Sequence, residues 1–151
     1  MPLLPCLLGR QFVQTLLDAG LVDGLVDKAR TASRRRCHHN LHTDLNAPAQ
    51  RLLVAMEPDS YVRPHCHLDP NKSETIIPLR GRLGALVFDG EGKVLEARVI
   101  APEAGSFGFH VPAGVFHSIV ALESGTVFIE IIFSLDGLGL LGFEAAFQRR
   151  L

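Results

Sequence analysis

The apolar positions of the chain follow two different periods, and the change between them falls near residue 50. Residues 10–30 place apolar side chains at roughly helical spacing. These are Phe12, Val13, Leu16, Leu17, Leu21, Leu25 and Val26. Gly20 and Gly24 interrupt the stretch, and each costs about 1 kcal/mol inside a helix. The pattern predicts one amphipathic helix, or the same stretch broken into two, lying against the main body of the protein.

From residue 50 onward, short apolar runs alternate with turn residues. The runs are QRLLVAME, ETIIPLR, RLGALVFD, KVLEARVI, FGFHVP, HSIVAL and TVFIEIIF. FDGEGKV predicts a hairpin with Asp89 and Gly90 as its turn dipeptide. Many short strands at this spacing are typical of a β-sandwich or barrel rather than of alternating β and α units. The sequence therefore predicts a mainly β protein with an N-terminal helical segment, and residues 143–150 favour a further short helix.

Charge, hydropathy and cysteine content exclude several classes of protein. A formal net charge of −1, from 15 basic and 16 acidic residues, gives no reason to expect nucleic acid or a membrane surface as partner. The hydrophobic fraction of 47% excludes a disordered chain. Cys6, Cys37 and Cys66 have no CxxC spacing, so we expect neither a disulfide framework nor a zinc ribbon, and a cytoplasmic setting is favoured. No apolar run suggests a membrane helix, and the start lacks the basic region of a signal peptide.

The stretch RPHCHLDPNKSE carries the clearest candidate chemistry. Side chains at i and i+2 of a strand share a face, about 7 Å apart, so His65 and His67 would point together and Cys66 would point to the other face as a core residue. Two imidazoles on one face of an apolar-rich strand are costly to bury without partners, and a metal ion satisfies both. Glu74 follows beyond the turn LDPNKS, and His117 opens a later strand after the turn in VPAG.

Three histidines and one carboxylate suit a divalent transition metal ion. The candidate ligands are His65, His67, Glu74 and His117. This donor set fits Zn, Ni, Fe or Mn, and also Cu, and the spacing does not choose among them. The alternative for Glu74 is a surface ion pair with Lys72 or Arg80, which is worth roughly 0–1 kcal/mol.

Further polar residues are expected around the same pocket. Tyr61 and Arg63 lie on the histidine face if the strand is regular, and they are the candidates for substrate binding, Arg63 as a fork for a carboxylate or phosphate. Alternatively, Arg63 pairs with Glu130. Glu130, in the apolar run TVFIEIIF, either lines the pocket or pairs with a cation, and Glu74 or Glu130 is the candidate general base. The basic run 34–36 is either a solvated surface or a contact to an anionic ligand or a partner subunit.

Together these motifs resemble the two motifs of the RmlC-like cupin superfamily. The first is HxH, a carboxylate and a glycine, here His65-Cys66-His67, Glu74 and Gly81, and the second is PxGxxH, here residues 112–117. The resemblance implies a single cupin double-stranded β-helix, the jelly-roll barrel, with a metal inside. It also implies a homodimer, since paired barrels cover exposed edge strands.

A narrower resemblance covers residues 34–131, which are similar to the WbuC-type cupin fold metalloproteins. Within it, His39, Asn40 and His42 recur, which suggests a role at the pocket mouth or in a dimer contact; ordinary turn and edge-strand residues are the alternative. The end of the chain departs from that family, because the last strand continues into SLDGLGLLGFEAAFQRRL. We therefore expect a helical extension at 1–33, a cupin barrel at 34–134 and a separate tail at 135–151.

Three functions are compatible with these features. The first is a metal-dependent enzyme, of oxygenase or isomerase type, acting on a small anionic or sugar-like molecule. The second is a non-enzymatic module that binds or senses a ligand. The third is a sugar-nucleotide epimerase or isomerase that uses the pocket histidines without metal. Metal content separates the first from the third, and turnover separates the first from the second.

Overall fold

One helix and eight strands make up the part of the chain that the computed structural model describes, residues 15–44 and 46–133. The helix is α1 (Ala19–Thr31). The strands are β1 (Arg36–Asn40), β2 (Ala49–Met56), β3 (Glu74–Arg80), β4 (Leu83–Phe88), β5 (Val94–Ile100), β6 (Phe109–Val111), β7 (Phe116–Ala121) and β8 (Thr126–Phe133). A single 3-10 turn, Pro102–Ala104, lies between β5 and β6. The predicted mainly β protein with an N-terminal helical segment is confirmed.

The strands form two antiparallel sheets that enclose the core between them. Five strands in the order β1-β2-β8-β3-β6 make the larger sheet, and β5-β4-β7 make the smaller one. The core consists of buried apolar side chains from both sheets. Its members are Leu52, Val54, Met56, Ile76, Leu83, Ala85, Ile100, Ile119, Ala121 and Phe128. Each large aliphatic side chain buried there contributes roughly 1.5–3 kcal/mol relative to its exposed state.

Strand β2 is buried on both faces, which explains why its apolar run is continuous. One face contributes to the core between the sheets, and the opposite face lies beneath α1, because alternate residues of a strand point in opposite directions. The second cluster joins α1 to the outer surface of the larger sheet. It contains Leu25, Val26 and Ala29 from the helix and Leu53, Ala55 and Val127 from the strands. The helix therefore packs against the main body, as the sequence predicts.

Helix α1 is shorter than the apolar spacing predicts. It begins at Ala19, and the side chain of Asp18 caps it by accepting a hydrogen bond of 2.9 Å from the backbone N–H of Leu21. Leu16 and Leu17 precede the helix and are exposed. Their spacing therefore does not reflect a helical face, and residues 12 and 13 lie outside the described residues.

The hairpin between β4 and β5 is present, but its turn differs from the predicted Asp89–Gly90 dipeptide. The loop closes where the backbone N–H of Asp89 donates to the carbonyl of Lys93 at 3.0 Å. The residue with a positive φ, 87°, is Gly92, whereas a two-residue Asp-Gly turn requires positive φ at Asp89 and Gly90. The Asp89 side chain accepts from the N–H groups of Glu91 and Lys93, which stabilises this longer loop.

Some sequence predictions fall outside the part of the chain that the structure describes. The helix predicted at residues 143–150 and the tail at 135–151 lie there, so the division into extension, barrel and tail stays a prediction. Among residues 15–44 and 46–133, no helix is long and apolar enough to cross a membrane.

Gly24 offers a direct test of the helix. A Cβ at Gly24 would meet nothing within 4 Å, so we expect Gly24→Ala to raise the free energy of unfolding by about 0.5–1 kcal/mol, because glycine loses more backbone entropy in a helix. Urea unfolding measures this. Gly92→Ala is the matched control: it also enters open space, but at φ +87°, and we expect it to lower the free energy of unfolding by about 1 kcal/mol. A change of the same sign in both variants would contradict the explanation.

Candidate metal centre

Four side chains converge at one end of the core. The candidate ligand atoms of His65, His67, Glu74 and His117 all lie within 4.8 Å of one another. The Nε2 atoms of His67 and His117 are 3.0 and 3.1 Å from the same oxygen, Oε2 of Glu74. The ring centroids of His65 and His117 are 4.4 Å apart. The structure therefore brings together all four residues that the sequence singles out as a metal-ligand set.

Backbone pairing holds the histidines in place, although the HxH segment is not a regular strand. His65 forms an isolated bridge with His117, in which N–H donates to carbonyl in both directions at 3.0 and 2.9 Å. The N–H of Gly114, in the turn before β7, donates to the carbonyl of His67 at 2.8 Å. Glu74 is the first residue of β3. The strand predicted at residues 65–67 is thus reduced to one bridge, yet that bridge joins the two halves of the site.

Two of the histidines are oriented by backbone carbonyls. Nδ1 of His65 lies 3.0 Å from the carbonyl of Arg63, and Nδ1 of His117 lies 2.9 Å from that of Val115. A carbonyl oxygen only accepts, so each Nδ1 carries the hydrogen and each neutral ring presents the lone pair of Nε2. In His117 this lone pair faces the Glu74 carboxylate. The contact is favourable only with a proton on Nε2 or with a cation held between the two groups.

The charges in the cluster depend on one another. Burial alone would raise the pKa of Glu74, but the hydrogen bonds and charges of His117 and His67 outweigh it and lower that pKa to about 2. Burial lowers the pKa of His117, and Glu74 more than offsets this, so the pKa of His117 is raised. Burial is the main cause that lowers the pKa of His65, to about 4. At neutral pH the site therefore offers a carboxylate and, at His65, an uncharged imidazole.

These residues fit a divalent transition metal ion. Imidazole nitrogens and a carboxylate oxygen are ligands for such ions, and the orienting carbonyls behind His65 and His117 are the outer partners usual for metal-bound histidine. The alternative expected for Glu74, a surface ion pair, does not occur with Arg80, because that residue pairs with Asp23 at 2.8 Å. Glu74 is instead 3% exposed and contacts His67 and His117.

A cavity of about 510 Å³ opens onto the cluster. Its wall is largely apolar and also carries polar and charged groups. The lining residues are Arg34, Arg36, Cys37, His38, Leu52, Val54, Met56, Val62, His65, Glu74, His117, Ile119, Phe128 and Glu130. A space of this size suits a small molecule.

Glu130 faces this cavity from β8. Its strand partners across the sheet, Leu52 and Ile76, both belong to the core, so the shared register turns Glu130 inward. Burial, followed by the charge and hydrogen bond of Glu74, raises the pKa of Glu130 to about 8, and the charge of Arg36 opposes this shift. Glu130 therefore both lines the cavity and lies near a cation, which is Arg36 and not the predicted Arg63.

Tyr61 and Arg63 are not brought to the cavity. Tyr61 is 74% exposed, Arg63 is exposed as well, and neither residue lines the cavity wall. The expected orientation fails because residues 61–64 do not form a strand, so the alternation of faces does not extend from His65 back to Tyr61. Their predicted role in substrate binding has no support from their position.

Sequence reasoning missed β1 as a strand, although contact to an anionic ligand was one of the alternatives for the basic run 34–36, and β1 carries further residues that line the cavity. Arg36 and His38 pair with Met56 and Val54 of β2, whose side chains point into the core, and this register places both residues at the cavity. Arg34 joins them. The local sequence RCHHN carries no apolar alternation that could have marked this strand.

The remaining candidates do not line the cavity. His42 is 6% exposed, and its Nδ1 accepts from the backbone N–H of Arg51 at 3.1 Å. His39 and Asn40 lie in β1, which is an edge strand of the larger sheet. Cys66 is buried, and burial raises the pKa of its thiol, which suits the expected core residue better than a nucleophile.

Similarity to solved structures defines the class of fold. The chain resembles KdgF from Halomonas sp. with 16% identity and a TM-score of 0.52 over 68% of this chain and 82% of that one. It resembles the conserved SPY1581 protein of unknown function from Streptococcus pyogenes with 13% identity and a TM-score of 0.51 over 68% and 77%. It also resembles an oxalate oxidase in complex with the substrate analogue glycolate, with 17% identity and a TM-score of 0.51. That match covers 68% of this chain and 52% of the oxalate oxidase chain. The fold is that of a cupin jelly roll.

The family follows from the sequence itself. A family described as "Domain of unknown function (DUF6016)" matches residues 17–100, which is more than half of the 151 residues, and the chain belongs to it. The comparison with curated proteins gave no match. The narrower WbuC-type relationship stays a prediction.

Proposed function

We propose that this protein is a metal-binding cupin that binds or acts on a small anionic or sugar-like molecule. The observation that carries the proposal is the convergence of His65, His67, Glu74 and His117 beside a cavity, with the lone pair of His117 directed at a carboxylate. Without a cation, that contact needs an extra proton. The metal-independent epimerase stays the alternative, in which His117 carries that proton and pairs with Glu74, whose charge raises the pKa of His117.

Some residues of the site would hold the metal ion, and others orient the side chains that hold it. His65, His67, Glu74 and His117 would hold the ion, and a divalent transition metal bound there supplies Lewis-acid polarisation of a ligand oxygen. Val115 and Arg63 fix the orientation of two imidazoles through their carbonyls. Glu130 lies against Glu74 on the cavity wall and is the candidate general base; because its raised pKa keeps it protonated at neutral pH in the metal-free protein, it acts as a base only after it has released that proton. The apolar wall limits the water around a bound molecule.

The proposal includes an oxygenase or isomerase type of reaction if the protein is an enzyme, and a non-enzymatic binding module is the alternative. A cytoplasmic setting, the homodimer and the WbuC-type relationship are further parts of it and rest on the sequence alone. Zinc, nickel, iron and manganese all remain candidates for the ion, since each accepts imidazole and carboxylate ligands.

Elemental analysis tests the proposal most directly. For protein purified without a histidine tag or chelator, we expect about one equivalent of a transition metal per chain, because the described residues offer one set of four candidate ligands. Iron or manganese would favour dioxygen or isomerase chemistry, whereas zinc or nickel would leave enzyme and binding module to be separated by turnover. Absence of metal, with no uptake when metal is titrated in, would contradict the proposal and favour a metal-free function.

A further inference from the structure

The basic run at the start of β1 is split between the cavity and the outer surface. Arg34 and Arg36 both line the cavity, on the side that bears Glu130. Arg35, between them, does not, because both oxygens of Asp59 lie 2.9 Å from its Nε. The three consecutive arginines are therefore not one solvated stretch: two of them contribute positive charge to the same cavity as the metal-ligand set.

Arg36 is held in position by groups outside the cavity. Its Nη1 donates to the carbonyl of Tyr61 at 2.7 Å and to Oγ of Ser60 at 3.2 Å. The hydroxyl of Ser60 donates in turn to the carbonyl of Arg34 at 2.8 Å, so the same serine connects both arginines. A guanidinium has five N–H donors, and both of these contacts are made through one nitrogen. The side chain is thus fixed before any ligand arrives, which lowers the entropic cost of binding.

The charges around the cavity favour an anion. A divalent ion held by neutral imidazoles and the single carboxylate of Glu74 leaves a net positive charge, and Arg34 and Arg36 add to it. Among the described residues, Glu130 is the one further acidic group on the wall. The same wall carries apolar residues such as Leu52, Val54 and Phe128, beside which unbalanced cations are poorly solvated. A ligand with a negative group would balance this excess.

We propose that Arg34 and Arg36 form an oxyanion subsite that binds the carboxylate or phosphate end of a small molecule whose other end reaches the metal centre. The planar fork of arginine matches both groups, so the two share one recognition chemistry. That the ligand reaches the metal depends on the proposed function. That its anionic group binds Arg34 and Arg36 depends only on the position of these residues in the cavity wall.

Calorimetric titration of the full-length, zinc-loaded protein with succinate, and separately with inorganic phosphate, tests the subsite. We expect binding of at least one probe at millimolar concentration or below. Arg36→Gln is expected to weaken it by about tenfold or more, since a charge-assisted hydrogen bond contributes roughly 1.5–3 kcal/mol. Arg34→Gln is expected to weaken it as well, and Arg36→Lys, which keeps the charge, to retain part of the affinity. The tighter probe identifies carboxylate or phosphate as the preferred group.

Arg35→Gln is the matched control, because it removes the same charge from the same run on the other side of the chain. It is expected to leave probe binding unchanged. The subsite is overturned if neither probe binds, if Arg36→Gln binds as tightly as the wild type, or if Arg35→Gln weakens binding to the same extent. Metal content is measured in every sample. A wild type that takes up no zinc would count against the metal centre, while the dependence of probe binding on Arg36 would still decide the subsite.

Discussion

Replacing His65 with alanine is expected to weaken metal binding by more than about 100-fold. Loss of a partner behind a metal ligand already costs about 10- to 100-fold, and this change removes a ligand itself. His65 is only partly buried, so the variant keeps the packed core and its metal affinity can be measured. His117→Ala should also lower metal occupancy, but His117 is 1% exposed, and its removal leaves a cavity as well.

Two control variants separate loss of a ligand from general damage. His110→Ala removes an exposed histidine on β6 that contacts Oγ1 of Thr75, and Cys66→Ser changes the buried residue between His65 and His67. Both are expected to keep the metal content of the wild type, measured by elemental analysis and by zinc titration. If His65→Ala kept it too, or if His110→Ala lost as much metal, the assignment of the site would be wrong.

Replacing Glu130 with glutamine is expected to stabilise the metal-free protein at high pH. The folded-state pKa of Glu130 is raised to about 8 from an ordinary value of 4.5, so the folded protein retains a proton that the unfolded chain releases. The favourable contribution of this group is fully present below pH 4.5, decreases as pH rises, and is lost by about pH 8. Removing the ionisable group therefore raises stability at pH 8, by roughly 2 kcal/mol or more.

Thermal unfolding after chelator treatment, at several pH values, measures this effect. The difference in Tm between Glu130→Gln and wild type should be small near pH 4 and largest at pH 8. Glu96→Gln is the control, since Glu96 lies at the surface beside Arg98 and its replacement should not produce the same rise between pH 4.5 and 8. A wild type that is as stable as Glu130→Gln at pH 8 would contradict the assignment of Glu130 as a cavity-facing carboxyl that retains its proton.

Strands with a strong local pattern could be predicted from the sequence. ETIIPLR and TVFIEIIF match β3 and β8 in full, because each combines β-forming residues with turn signals on both sides. By contrast, RCHHN has no apolar alternation. It becomes β1 through pairing with β2 and the helix packed beside it, and neither interaction is visible in the local sequence.

The candidate site also has one part that could be predicted from the sequence and one part that could not. The ligand set could be found because HxH, Glu74 and His117 follow a recognisable spacing. The orientation of Tyr61 could not be predicted, because it depends on whether residues 61–64 form a strand. The proximity of Arg36 to Glu130 could not be predicted either, because it arises from the pairing of β1 with β2 and of β2 with β8 across the larger sheet.

The ligand set also spans the two sheets. Glu74 opens β3 of the larger sheet and His117 lies in β7 of the smaller one, 43 residues further along the chain. An ion bound to both would cross-link the sandwich at the end where the cavity opens, and it would bind the folded protein far better than the unfolded chain. Once free metal exceeds the Kd, each tenfold increase would add about 1.4 kcal/mol to the free energy of unfolding. Supply of the ion would then control how much folded protein persists as well as whether the centre is filled.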